Sequence, residues 1–440
     1  MLTENTKNVR VRTGLKENLS QFSLLVLVNA FVGGMVGMER SLIPQIADAD
    51  FHIAAKTAIL SFIVVFGVVK AVTNYFTGAL ADKFGRKNLL IAGWLFAVPV
   101  PFMLMWGGSW NWILAANVLL GINQGLAWSS TVVMKIDLVG DKDRGFAMGL
   151  NEFAGYLSVS LVALATGVVA GRYGLRPYPF YIGVGLVVAG LLTSWLFVKD
   201  TAAHVAAEAG ASGLPRLKNV FMATTFTNRN LSTVTQAGLI NNLNDGMAWG
   251  LFPVFLAARG FPISQIAIVT AVYPAVWGFG QLVTGRMSDR FCKKSMLFWG
   301  MLLQALALLV FPFAVTLNHF IGLAAILGWG TAMVYPTFLA TVAENTHPFD
   351  RAKAMGVFRL WRDLGYAIGA VLTGIIADAA GLNAAIIFIG ALTLLSSLVI
   401  DRRMYCTAHA PKLTDFFRGN RRKQVENEKV YNPCRNAAVA

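Results

Sequence analysis

Apolar residues run along this chain in blocks, each closed by a short polar stretch. At 1.5 Å per residue, about 20 apolar residues cross the hydrocarbon of a bilayer. Twelve such blocks can be marked, near 21–46, 56–80, 88–106, 112–134, 146–170, 178–198, 232–257, 265–286, 295–315, 320–343, 352–377 and 383–400. Each predicts a membrane-spanning helix.

One connection is longer than the rest. It divides the chain into an N-terminal arm (1–20), a first six-helix unit (21–198), a polar Ala/Gly-rich linker (199–231), a second six-helix unit (232–400) and a basic tail (401–440). The two units repeat each other. Thr77-Gly78 with Asp82-Lys83-Phe84 and Lys87 returns at one constant offset as Thr284-Gly285 with Asp289-Arg290-Phe291 and Lys294. The same offset aligns Arg144 and Ala147-Met148-Gly149 with Arg351 and Ala354-Met355-Gly356. A slightly longer one sets Gly37-Met38 and Pro44 against Gly246-Met247 and Pro253. Parallel repeats of this kind place a solute site near the bilayer midplane, between the halves.

Composition agrees with the block pattern: 56% of residues are hydrophobic and 13% charged, against about 25% charged in a soluble domain. The net charge of +15 changes the picture only through its distribution. Lys and Arg gather in alternate loops, the arm and the tail, the asymmetry expected of cytoplasmic segments. Basicity therefore reports orientation, with both termini cytoplasmic, and a nucleic-acid partner is not expected. The first 20 residues lack the apolar core of a cleavable signal, so the first block is expected to remain as a helix. Cys292, Cys406 and Cys434 all fall in expected cytoplasmic segments, and no disulfide is expected among them.

The segment Gly78-Ala79-Leu80-Ala81-Asp82-Lys83-Phe84-Gly85-Arg86-Lys87 resembles the loop 2–3 signature of the major facilitator superfamily, with a degraded copy at Gly285–Lys294. The resemblance implies an all-α membrane protein with twelve transmembrane helices in two pseudo-symmetric six-helix bundles. It also implies a gate on the cytoplasmic side. There Gly78 and Gly285 allow close helix approach, Gly85 a tight turn, and Asp82, Asp289, Arg86 and Arg144 form a latch near the start of helix 11. Drug/proton exporters of this family carry an Arg in helix 4 where Gly121 stands here, and a Gly-Pro pair in helix 5 that 151–167 lacks.

Ionisable side chains at bilayer depth are costly and functional by default. Lys70 lies roughly 15 Å from the end of block 2, at midplane. Arg359, Arg362 and Asp363 share one face of helix 11 with Tyr366. The i,i+4 spacing allows Arg359 to pair with Asp363, which would leave Arg362 directed at a cavity or an anion. Glu152 stands at the repeat position of Arg359, and Asp245 ends the polar run Asn241-Asn242-Leu243-Asn244. Lys70, Arg359, Arg362, Tyr366, Asn241, Asp245 and Tyr335 are the candidate solute-binding residues. The candidates for coupling are Glu152, Asp245, Asp363 and Glu39. Trp128, Tyr156, Trp249, Tyr273, Trp277 and Trp361 are possible cavity aromatics.

Three cations at depth favour a small anionic solute, since Arg and Lys recognise carboxylates and phosphates. No phosphate-binding loop occurs, no HExxH occurs, and all five histidines fall outside the apolar blocks. No cofactor, metal or enzymatic activity is therefore expected. The expectation is a monomeric inner-membrane transporter working by alternating access and coupled to protons. The alternative is an exporter of neutral or cationic drugs or metabolites.

Overall fold

The computed structural model describes residues 13–406 apart from 41, 54–55, 141–142, 212–213 and 262. Among these, all regular structure is helical. The long helices are α1 (Leu19–Arg40), α2 (Lys56–Phe84), α3 (Arg86–Trp106), α4 (110–139), α5 (Arg144–Tyr173) and α6 (Tyr178–Leu196) in the first half. The second half holds α7 (Arg229–Ala258), α8 (Ile263–Arg290), α9 (Lys293–Val310), α10 (Leu317–Glu344), α11 (Pro348–Ala380) and α12 (Leu382–Arg403).

Ten of these helices are long and apolar enough to cross a membrane. The two that fall short do so for visible reasons. A π turn at Gln124–Trp128 interrupts α4, and α7 carries the polar run from Asn241 to Asp245. Interrupted or polar helices are tolerated where they line a cavity rather than lipid. The first apolar block does not stay whole: α1 stops at Arg40 and a short helix, Ile43–Ala49, follows with Pro44 in its first turn. Proline suits that place because its missing N–H would be unpaired there anyway.

Small residues set the packing inside each half. A Cβ on Gly37 of α1 would lie 2.2 Å from the Val159 carbonyl oxygen of α5, and one on Gly246 of α7 would lie 2.6 Å from that of Tyr366 of α11. The repeat seen in sequence is thus a repeat of close helix contacts.

The halves meet at the end of the bundle that carries the linker, here termed the linker face. A Cβ on Gly78 of α2 would sit 2.3 Å from the carbonyl oxygen of Ala352 of α11. One on Gly285 of α8 would sit 2.7 Å from that of Gly145 of α5. Toward the opposite end, Gly167, Gly171 and Gly374 have open space where a side chain would be. The two halves are in backbone contact at the linker face.

Two local features depart from the sequence expectations. The Ala-rich linker contains a helix, Ala202–Ala211, as its composition favours. The expectation of no disulfide is corrected: Cys292 and Cys406 are bonded, with Cα atoms 5.5 Å apart. The chain leaving α12 turns back over the start of α9, where Cys292 is the N-cap residue, a proximity that a separation of 114 residues hides. Cys434 lies outside the described residues.

Candidate functional site

A cavity of about 530 Å³, part of it open to solvent, lies between the halves. Phe66, Gly67 and Lys70 of α2 and Tyr156 of α5 form its first-half wall. The second-half wall comes from Asn242, Asp245 and Trp249 of α7, Trp277 of α8, Tyr335 of α10 and Arg362, Asp363 and Tyr366 of α11. Of the candidate binding residues, Lys70, Arg362, Tyr366, Asp245 and Tyr335 line this space. Arg359 and Asn241 do not.

Rings from both halves pack into one cluster. Tyr156 lies 4.3 Å from Trp277 between centroids, and Trp277 lies 5.3 Å from Tyr335. The Tyr156 and Tyr335 hydroxyls are 3.3 Å apart. Trp128 stands behind Tyr156, and Tyr273 behind Trp277. Trp361 is not part of the cluster. Its indole N–H donates to Thr225 Oγ1 at 3.2 Å, in the connection leading to α7.

The charges divide into satisfied and unsatisfied groups. Arg362 donates from Nε to Asp363 Oδ1 at 3.0 Å, its Nη2 is 2.8 Å from the same oxygen, and its guanidinium lies 4.7 Å from the Tyr335 ring centroid. Asp363 Oδ2 accepts from Asn74 Nδ2 of α2. The i,i+4 pairing of Arg359 with Asp363 expected from sequence is therefore corrected. Both oxygens of Asp363 are taken, and Arg359 turns instead to Ser129 Oγ of α4 at 3.1 Å. Ser129 in turn donates to Asn74 Oδ1. The chain Arg359–Ser129–Asn74–Asp363–Arg362 ties α11 to α2 and α4 across the two halves.

Lys70 differs from the arginines. Its Nζ lies 5.7 Å from the ring centroids of both Phe66 and Trp128. Among the described residues it makes no ion pair or hydrogen bond. A cation held only by ring faces retains most of its capacity for an anion. On the opposite wall Asp245 accepts from the Tyr273 hydroxyl, which also lies 3.3 Å from Thr331 Oγ1.

Four further buried groups sit outside the cavity lining. Glu152 is fully buried and accepts from Asn151 Nδ2 at 2.7 Å and Trp128 Nε1 at 3.3 Å, while its Oε2 has no partner. Arg359 is equally buried, with Nε and Nη2 unpartnered. Neither atom of the Asn241 amide has a partner. Glu39 packs against α4, accepting from Asn117 Nδ2 at 3.2 Å, remote from the cavity lining.

Sequence reasoning missed four members of this assembly. Asn74 and Ser129 are uncharged and carry no signal inside apolar blocks. Lys135, fully buried and donating to the Leu25 carbonyl at 3.1 Å, lies one residue past the block end assigned to helix 4. The fourth is Glu208 of the linker helix. It receives Arg351 Nη1 at 2.9 Å and Nη2 at 2.7 Å from the second half, and Arg144 Nη2 from the first. Burial pushes its carboxyl up, but the two guanidinium groups outweigh this and hold it below the usual range.

Around this clip the signature residues arrange themselves as follows. Arg86 Nε is 3.7 Å from Asp137 Oδ2, and Arg351 Nη1 is 3.6 Å from Asp137 Oδ1. Gly85 has φ of 79°, the left-handed region glycine favours. Asp289 accepts from the backbone N–H groups of Gly145 at 2.6 Å and Phe146 at 2.8 Å, capping the positive end of α5 across the halves. The Asp82 side chain lies outside those described.

Relatives share this architecture. The chain is 23% identical over 327 residues to the multidrug resistance protein MdtG of Salmonella paratyphi C, covering 71% of this chain and 77% of that protein. In structure it resembles the human organic anion transporter MFSD10, with a TM-score of 0.69 and 17% identity over 88% of this chain and 100% of the other. It also resembles the E. coli fucose:proton symporter FucP, with a TM-score of 0.68 and 14% identity over 87% and 98%. At such identities the structural likenesses speak for the fold alone. The sequence model of the Major Facilitator Superfamily matches residues 25–233 and 234–424, one match for each half, and the chain belongs to that superfamily of membrane transporters.

Proposed function

We propose that this transporter moves a small organic solute bearing an anionic group across the bacterial inner membrane, by alternating access and coupled to protons. In this reading the linker face is cytoplasmic, and the cavity opens to the outside in the arrangement described. The observation that carries it is the Lys70 ammonium, set on the cavity wall with ring faces for company and no carboxylate bonded to it. Arg362 adds hydrogen-bonding capacity beside it, its charge offset by Asp363. Glu152 is the favoured coupling group, as a fully buried carboxylate with one oxygen unpartnered, on the helix that carries the cavity residue Tyr156.

Proteoliposome uptake of a library of organic acids, with and without an inward proton gradient, tests the proposal. Uptake that the gradient enhances and that Lys70→Met removes is the expected result. Failure of every acid to move would overturn it.

A second reading has its own support. Tyr156, Trp249, Trp277 and Tyr335 make much of the lining aromatic, and MdtG is described as a multidrug resistance protein. An exporter of neutral or cationic compounds would give resistance that depends on Asp245 or Glu152 and survives Lys70→Met.

A further inference from the structure

Charge on the cavity wall resolves residue by residue. Arg362 and Asp363 form a bonded pair, in which one Asp363 oxygen holds Arg362 Nε and the other accepts from Asn74 of α2. The guanidinium rests on the Tyr335 ring. This unit presents hydrogen-bonding edges and no net charge. Asp245, the other acid of the lining, adds no cation. Lys70 is thus the one lining cation without a bonded carboxylate among the described residues. Asp363 is the carboxylate acting on it most strongly through space, and its oxygens are committed elsewhere.

Much of the remaining lining is aromatic. The Lys70 ammonium has the Phe66 and Trp128 rings as its neighbours, so the surface beside the cation is ring. Tyr156 of α5, Trp277 of α8 and Tyr335 of α10 form a cluster whose planes are inclined to one another by 48°, 56° and 85°. Inclined rings offer both faces and edges, the two surfaces on which a flat aromatic ring packs best.

We infer that the solute is an aromatic monocarboxylate, with a flat ring for the tyrosine–tryptophan cluster and a single carboxylate for Lys70. The inference rests on the transport reading above and narrows its substrate class in two respects, the number of charges and the nature of the body.

Both respects follow from the wall. A carboxylate leaving water needs a partner to replace its hydration. Lys70 supplies that for one group. A second carboxylate on the same ring would find Arg362 already neutralised and Asp363 repelling it, so a dianion is disfavoured. The ring matters for closure as well. A ligand shifts a two-state equilibrium only by its differential affinity for the two states. Tyr156 comes from the first half and Trp277 and Tyr335 from the second, so a ring packed among them gains contact as the halves approach.

Four probes of similar size test this at neutral pH: benzoate, cyclohexanecarboxylate, terephthalate and benzamide. Their affinities for the purified full-length protein in detergent are measured by isothermal titration calorimetry. Benzoate should bind about tenfold or more tighter than benzamide, the size expected of one charge-assisted contact. A similar margin should separate it from the dianion terephthalate, whose second charge has no partner. Its advantage over cyclohexanecarboxylate should be about threefold or more, as one ring–ring contact provides. Lys70→Met should bring benzoate down to the level of benzamide and leave benzamide unchanged.

Terephthalate binding as tightly as benzoate overturns the single charge, and cyclohexanecarboxylate doing so overturns the aromatic body. Either result leaves the anion reading intact. Benzamide binding as tightly as benzoate overturns both the assignment and the anion reading. No binding of any probe overturns the aromatic class, and uptake of the acid library then decides separately whether anions are carried. The comparison of the four probes on the unmodified protein requires no variant to fold.

Discussion

Glu152 of α5 and Arg359 of α11 occupy equivalent positions in the two repeats, carry opposite charge, and are both fully buried with polar atoms left unpartnered. Arg359 is hydrogen-bonded to Ser129, and no ion pair joins it to Glu152 among the described residues. A carboxylate and a guanidinium so placed attract each other whenever both are charged, and a proton on Glu152 cancels the attraction. Glu152→Gln should therefore keep solute exchange across liposome membranes and lose gradient-driven accumulation by at least about tenfold, the size of effect a lost proton-transfer group produces. Solute-induced proton uptake, followed with a pH dye, should disappear in parallel.

Lys70 and Arg362 should separate on stability. Arg362→Met takes from Asp363 the one cation bonded to it at depth among the described residues, a loss of up to roughly 3–5 kcal/mol. Lys70→Met removes a group with no ion pair among the described residues, and should leave the melting temperature nearly unchanged. Thermal unfolding of the two variants in one detergent makes the comparison.

The linker clip should depend on acid in a defined direction. Glu208 has its carboxyl lowered by Arg351 and Arg144, against the effect of burial. A lowered folded-state value means the stabilisation is fully present above the ordinary value of 4.5 and is lost as pH falls through the folded-state one. Glu208→Gln should mimic that loss at neutral pH, leaving two buried guanidinium groups facing each other at a cost of roughly 1.5–3 kcal/mol. The share of the longer spin-label distance between Asn88 and Arg290 at the linker face should rise in the variant at pH 7, and should rise in the parent as pH falls below 4.5.

Gly78 should tolerate nothing larger. A Cβ placed 2.3 Å from the Ala352 carbonyl oxygen must move backbone, at about 1–3 kcal/mol. Gly78→Val should wedge the linker face open and speed thiol labelling of a cysteine placed at the buried Ser130 by about tenfold or more.

Much of the fold was legible in the sequence because bilayer physics writes in long words. An apolar block has few uses other than a spanning helix. The paired signatures survive because Gly78 and Gly285 both serve the contact between halves. The site was legible as a set of depths and less so as a set of partners. Whether Asp363 turns to Arg359 or to Arg362 is decided by Asn74 on a helix nearly 300 positions earlier, and helical spacing on α11 alone favours the wrong one. Glu208 was hidden for the opposite reason. A lone acid in a polar linker looks solvated until the fold brings Arg144 and Arg351 to it. Cys406 likewise gains its partner only where the chain turns back after α12.

Alternation of the two faces is the claim on which the rest depends. Spin-label pairs at Asn88 and Arg290 on the linker face, and at Tyr173 and Ala380 on the far face, report it in nanodiscs between pH 5 and pH 8, without any solute. Two populations are expected whose distances change in opposite senses, the linker pair lengthening as the far pair shortens. Distances that stay fixed under every condition, or that lengthen together, would contradict it.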